Sequence, residues 1–212
     1  AMLHNIQCLI GALPLGTSAV IAMKAWRQND LFSWHPVMMS TGFLLLPTLS
    51  LLTVQGRHQL RGNSRRWMVY AHIVLQLLAV AAAVVGFGAI YTNKNSHGKD
   101  HFTTWHSWAG AVAMGMFAMN ASGGLLSSLL LRKTWMWRDP LHRLSGTFAV
   151  LSGAVAAALG VSSSWGKSVL GADSAETLSW IIVLSFSAER LLAVLNTPTT
   201  GSRASSMSKK HE

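Results

Sequence analysis

The stretch that decides the fold is WMVYAHIVLQLLAVAAAVVGFGAIYT, Trp67 to Thr92. It contains no Asp, Glu, Lys or Arg. A helix that crosses the roughly 30 Å hydrocarbon core of a bilayer needs about 20 mostly apolar residues, and this run supplies them. One residue in it is foreign to hydrocarbon: His72, little more than one turn past the start. An ionisable side chain inside a membrane span is costly, which makes it a functional candidate by default.

Five further windows have the same character. Working outward, they run from about Asn5 to Met23, Leu31 to Val54, Phe102 to Leu131, Leu144 to Gly166 and Thr177 to Leu195. The first contains Pro14, a point at which a helix can kink. It lacks a basic n-region, so it reads as a true span and not as a cleaved signal. The last is interrupted by Glu189-Arg190 near its end. The expected fold is therefore all-α: a polytopic membrane protein of six transmembrane helices. Residues 1–195 form one membrane domain, and residues 196–212, rich in Ser, Thr and Lys, form a disordered cytosolic tail. No strong internal repeat is visible.

Composition agrees. Of 212 residues, 50% are hydrophobic and only 11% are charged, against about 25% charged in soluble domains. The net charge of +10 raises the question of nucleic acid. Yet Lys and Arg fall between or after the apolar runs, where topology places them, and no nucleic-acid-binding signature occurs. The single cysteine, Cys8, cannot form an intramolecular disulfide or, alone, an iron–sulfur or zinc-thiolate site. The loops alternate in charge. Arg57, Arg61, Arg65 and Arg66 lie after the second span without an acid, and Arg132, Lys133 and Arg138 lie after the fourth against one, Asp139. The other loops mix signs. The positive-inside rule then puts both termini in the cytosol.

Four histidines sit in or at the ends of the uncharged spans: His35, His72, His106 and His142. Each is near the N-terminal end of its own helix, and successive helices alternate in direction. His35 and His106 must then lie near the outer face, and His72 and His142 near the inner one. Imidazole ligates iron, and heme takes axial ligands from opposite sides. Two facing helices can each offer one imidazole to a macrocycle between them, with small residues such as Gly86, Gly110, Gly124, Gly146 and Gly153 making room. A single histidine at a helix end is more often an interfacial residue than a ligand. Four that sort into two same-face pairs favour a cofactor. A proton relay would also want acids along the path, and spans two to five contain no Asp or Glu. The lack of a Cys-x-x-Cys-His motif means that the hemes are not covalently attached.

The ordered set Leu31-Phe-Ser-Trp-His-Pro-Val-Met-Met39, His72-Ile-Val-Leu-Gln-Leu-Leu78, Trp105-His-Ser-Trp-Ala-Gly110, Ser122-Gly-Gly-Leu-Leu126 and Leu141-His-Arg-Leu-Ser-Gly146 resembles the cytochrome b561 family, especially its short, domain-only members. The resemblance covers about residues 5 to 195. It implies a central four-helix bundle with two hemes b per chain, His35 paired with His106 and His72 with His142. It implies electron transfer across the bilayer from cytosolic ascorbate to monodehydroascorbate or ferric iron, in a protein that is often a homodimer. Arg65, Arg66, Arg132 and Lys133 would then form the donor's anion site. The departures are local. Arginines precede His72 where ascorbate-dependent members carry lysines, and their outer Phe-His pair has no counterpart at its spacing from His106.

Competing uses of the same residues are a heme-binding or proton-conducting membrane protein without reductase activity, and a quinol-oxidising cytochrome b. His97 and His101, four apart, could share a helical face as a landing site for ferric ion, or be solvated loop residues. The tryptophans that flank the spans read as an interfacial belt, with Trp34 and Trp105 placed to pack on an outer heme. Gln76, one turn after His72, reads as a helix–helix hydrogen-bonding residue.

Overall fold

The computed structural model describes residues 2–55, 62–129 and 140–195, and every regular element among them is helical. In chain order these are α1 (Met2–Trp26), α2 (Trp34–Ser40), a π-helical turn (Thr41–Leu45), α3 (Leu46–Gln55), α4 (Gly62–Ser96), α5 (Trp105–Leu129), α6 (Pro140–Val161), α7 (Ser164–Leu170) and α8 (Ala172–Leu195). Among the described residues, five crossings are long and apolar enough to span a membrane: α1, the continuous run Trp34–Val54, α4, α5 and α6. A sixth counts only when α7 and α8 are taken together as one broken span, bent by 112°. The bend sits at Gly171, whose φ of 88° is open to glycine and strained for other residues. The expected all-α polytopic membrane architecture is what the chain adopts.

The span boundaries differ in instructive places. The helix α1 passes unbroken through Pro14, which is buried. The fifth span begins and ends earlier than hydropathy suggests, at Pro140–Val161, so His142 lies inside the helix. Gly166 belongs instead to α7, which Ser163 caps by accepting from the Gly166 N–H. The charged pair of the last span is self-compensated: Arg190 Nη2 lies 2.9 Å from Glu189 Oε1, and Glu189 is buried. Burying two charges is tolerable when they pair.

The second crossing is one span with a fault in it. Pro47 cannot donate to the preceding turn, and its ring crowds the carbonyl there. The π turn immediately before it widens the helix by one residue and relieves that crowding. Its own side chains, Phe43 and Leu44, are buried.

Two antiparallel hairpins carry the histidines. One is α2–α3 against α4, the other α5 against α6. Each hairpin closes on small residues, the usual route to tight helix packing in lipid. A Cβ added to Gly42 would lie 2.9 Å from the Ala79 carbonyl oxygen, and one on Gly86 would lie 3.1 Å from Met38 Cβ. The hairpins meet at mid-bundle, where Phe43 and Phe117 rings sit 5.4 Å apart within a cluster of Ala79, Ala83, Ala113, Ala149 and Ala156. The helices α1 and α8 pack on each other and flank the hairpins through α2 and α6. The sequence shows no strong repeat, yet the hairpins share a plan: a histidine near the start of each arm, packed against the antiparallel neighbour.

Candidate functional site

The outer histidines are set by the way their helices begin. Before α2, Ser33 N–H donates to Asp30 Oδ1 (2.7 Å) and Asp30 N–H to Ser33 Oγ (3.3 Å). Before α5, Thr104 N–H donates to Ser107 Oγ (3.0 Å) and Ser107 N–H to Thr104 Oγ1 (3.2 Å). Both are reciprocal bonds of the capping-box kind. The first closes the turn that leads into α2 two residues before His35, and the second closes the start of α5 around His106.

Those two rings face each other with centroids 5.9 Å apart and planes at 82°. Each has its Nδ1 against a backbone carbonyl of the neighbouring helix: His35 on Gly86 O at 3.0 Å, His106 on Ala156 O at 2.9 Å. A carbonyl can only accept, so each Nδ1 carries the proton and each Nε2 keeps its lone pair. A metal-ligating histidine is oriented in the same way. An imidazole nitrogen sits about 2 Å from a first-row metal, so two rings on either side of one ion have centroids about 6 Å apart. The observed spacing fits one iron between His35 and His106. Two imidazoles from facing helices are the protein ligands that a b-type heme would need. Gly160 packs under His106, where a Cβ would lie 2.8 Å from Cε1, while a Cβ on Gly110, one turn past His106, would meet no other atom within 4 Å.

At the other end of the bundle, α4 and α6 carry His72 and His142. His72 Nδ1 lies 2.7 Å from Ser50 Oγ and 3.3 Å from the Ser50 carbonyl oxygen. Gln76 Nε2 donates to the same Ser50 Oγ at 3.0 Å. Gln76 is thus the helix–helix hydrogen-bonding residue that its place in the sequence suggests. His142 lies over Gly124 of α5, where a Cβ would be 3.1 Å from its Cε1. One turn on, Ser145 Oγ donates to Asn120 Oδ1 of α5 at 2.7 Å. The glycines expected to leave space for a cofactor divide accordingly. Gly124 cradles a histidine, Gly153 takes the Phe43 ring, and Gly146 takes Asn120, while Gly160, not among those expected, lies under His106.

Of the candidate donor residues, Arg65 and Arg66 lie at the start of α4. Arg65 is half-buried and precedes His72 by two helical turns, about 10 Å along the same helix face. Arg66 is exposed and points away from that face. Arg132 and Lys133 lie outside the described residues, as do Arg57, Arg61, Arg138 and the segment 196–212.

One expectation needs correction. His97 and His101 do not share a helical face, because α4 stops at Ser96 and the chain turns at Gly98. His97 Nδ1 lies on Asn93 O at 2.8 Å, while His101 stacks on Tyr91 at 4.4 Å. Trp34 and Trp105 face outward: Trp34 packs edge-on against Trp26 at 5.4 Å, and Trp105 is 84% exposed. They fit an interfacial belt. The ring on His35 is Phe32, at 6.0 Å, itself backed by Trp165 at 5.6 Å. Beside Phe32 opens a recess of about 530 Å³ lined by Asp30, Asn93, His97, Lys99 and Trp165 among others. Sequence reasoning missed Ser50, the Gly86 and Ala156 carbonyls, and Phe32 as neighbours of the histidines. Only the placement of Ser50 in an uncharged span hinted at a role.

Comparison with known proteins identifies the family. The sequence profile of the family described as eukaryotic cytochrome b561 matches residues 34–167, from the start of α2 into α7. The chain is 37% identical over 155 residues to transmembrane reductase CYB561D2 of Bos taurus, covering 71% of this chain and 70% of that one. It is 32% identical over 103 residues to probable transmembrane reductase CYB561D1 of Mus musculus, 48% and 45% of the two chains. It is 31% identical over 137 residues to the lysosomal membrane ascorbate-dependent ferrireductase CYB561A3 of Bos taurus, 62% and 51% of the two chains. The chain belongs to the cytochrome b561 family and is a multi-pass transmembrane oxidoreductase of the b-heme type.

Proposed function

We propose that this chain holds two hemes b, one between His35 and His106 and one between His72 and His142, and that it carries electrons from ascorbate on the cytosolic face to monodehydroascorbate or ferric iron on the other. The observation that carries the reading is the His35–His106 pair, 5.9 Å apart with both Nδ1 atoms pinned to carbonyls. Bound heme supplies a reversible one-electron iron couple. The chain's own residues do the rest. His35 with His106, and His72 with His142, would hold the two irons through imidazole, each from a half-buried position between helices. Placing one site near each face divides a roughly 30 Å core into shorter electron transfers.

Direction follows from the flanking groups. Ascorbate is an anion at neutral pH, and the His72 end carries Arg65 on the His72 face with Arg66 beside it. Arg132 and Lys133 precede His142 in sequence. Steering by such charges raises encounter rates. The donor is named by analogy with the ferrireductase relative. The recess beside Phe32 is the place for the acceptor: Lys99 and His97 suit an oxygen-rich anion, and Asp30 suits a ferric complex. The surplus of Arg and Lys at the His72 end puts that end, and both termini, in the cytosol.

The test is a pyridine hemochrome assay with ascorbate titration of purified protein. We expect about two hemes per chain, both reduced by ascorbate. Folded, heme-supplemented protein that holds none would overturn the cofactor reading. Reduction by quinol but not by ascorbate would overturn the donor.

A further inference from the structure

We propose that Ser50, together with Gln76, is a positioning pair that sets the electron-donating strength of His72, so that the inner iron's potential is tuned by a side chain while the outer iron's is tuned by backbone alone. The inference rests on the reading that His72 ligates a heme. At the outer end both imidazole N–H groups donate to peptide carbonyls, at 3.0 and 2.9 Å. At the inner end His72 meets a hydroxyl. Ser50 is fully buried in α3, and its Oγ lies 2.7 Å from His72 Nδ1.

A serine hydroxyl has one proton to donate and two lone pairs to accept with. All three are used here. With Nε2 as the metal nitrogen, Nδ1 carries the proton and donates it to Ser50 Oγ. Gln76 Nε2, an amide that can only donate, fills the second lone pair at 3.0 Å. The hydroxyl proton goes to the His72 carbonyl oxygen at 3.3 Å. This closed set fixes the rotation of the imidazole. It also makes Ser50 a weaker acceptor for Nδ1–H than a carbonyl would be, because a second donor already draws on the same oxygen.

The consequence has a sign. The more firmly the Nδ1 proton is accepted, the more electron-rich the imidazole, and the more ferric iron is favoured. Removing Ser50 Oγ takes away the acceptor at 2.7 Å and shifts Nδ1–H toward the Ser50 carbonyl at 3.3 Å, a longer and weaker bond, so the ferrous state gains. Removing Gln76 frees a lone pair on Oγ, so Ser50 accepts more strongly from His72 and the ferric state gains. The two changes should move the inner couple in opposite directions. A pair that merely packed the helices would not do this.

The experiment is a spectroelectrochemical titration of full-length protein in nanodiscs, for wild type, Ser50→Ala, Ser50→Thr, Gln76→Leu and His72→Ala, each with a heme count. We expect Ser50→Ala to raise the inner ferrous-to-ferric ratio at fixed applied potential by about tenfold, or 59 mV for one electron. Gln76→Leu should lower it, and Ser50→Thr should lie near wild type. The outer couple should not move in any of the three. Unchanged inner potentials with two hemes retained, or shifts of the same sign in Ser50→Ala and Gln76→Leu, would overturn the proposal and leave His72 as a ligand. If Ser50→Ala loses the inner heme, Gln76→Leu decides: a lowered ratio supports the proposal, and no change overturns it. A His72→Ala protein that keeps both hemes and both potentials would instead remove the ligand reading on which the proposal stands.

Discussion

The two ends of the bundle hold their histidines by different means. At the outer end, reciprocal bonds at Asp30–Ser33 and Thr104–Ser107 order the chain where the helices begin, and main-chain carbonyls orient both rings. At the inner end, a buried serine orients His72 and a glycine of the neighbouring helix lies under His142. A carbonyl in a helix is present whatever residue occupies the position, so the outer hydrogen bonds depend on how closely the helices approach, which Gly86 and Gly160 permit. A serine hydroxyl is there only while that one residue is serine, so the inner site can be adjusted by a single substitution. A duplicated architectural plan with two kinds of support gives two similar sites the means to differ.

The largest effects should come from the ligands themselves. His35→Ala and His106→Ala should each remove the same heme, and the double substitution should remove no more. His72→Ala and His142→Ala should do so for the other heme. A hemochrome assay with the spectrum of the remaining site reads this directly. Loss of the same spectral component in His35→Ala and His72→Ala would break the division into two ends.

The next effects concern the glycine cradles. Gly160→Ala would put a Cβ 2.8 Å from His106 Cε1, and Gly124→Ala one at 3.1 Å from His142 Cε1. Overpacking of this kind costs about 1–3 kcal/mol. Gly160→Ala should lower outer heme occupancy or shift its absorption, and Gly124→Ala should disturb the inner heme less. Heme counts after limited heme supply, with visible spectra, check the order. The reverse order would show that the inner end is the stiffer one.

Smaller effects should appear at the faces. Charge reversal at Arg65 should raise the ascorbate concentration needed for reduction, more than reversal at Arg66, because Arg65 shares the His72 face. Reduction by a small neutral donor should stay the same. Salt should weaken the ascorbate reaction alone, since exposed charges are screened over about 10 Å at 0.1 M. Stopped-flow reduction of the inner heme with both donors measures each arm. Equal slowing with both would make these arginines structural. The smallest expected effect is that of Trp105→Ala, an exposed residue next to His106. Spectra and potentials should match wild type. A shifted outer potential would mean that Trp105 reaches that site.

What the sequence by itself determined follows from rules that act one helix at a time. Uncharged runs such as Trp67 to Thr92 demand a bilayer, alternation of helix direction sorts His35 and His106 from His72 and His142, and the loop arginines suggest an orientation. These depend on local composition and on parity, which no packing can alter. Helix ends were less legible. Pro140 starts α6 and Gly171 bends α7 from α8 through backbone constraints that hydropathy does not see. What only the tertiary structure decided is what lies against each ring. Ser50 meets His72 because Pro47 and the π turn before it set the register of α3, and Gly86 and Ala156 offer carbonyls because small residues let helices approach that closely. Phe32, not Trp34, packs on His35 because the turn before α2 points one inward and the next outward. Such contacts join residues far apart in the chain. A single sequence contains the residue types but not the register between helices, and register is fixed only when the bundle closes.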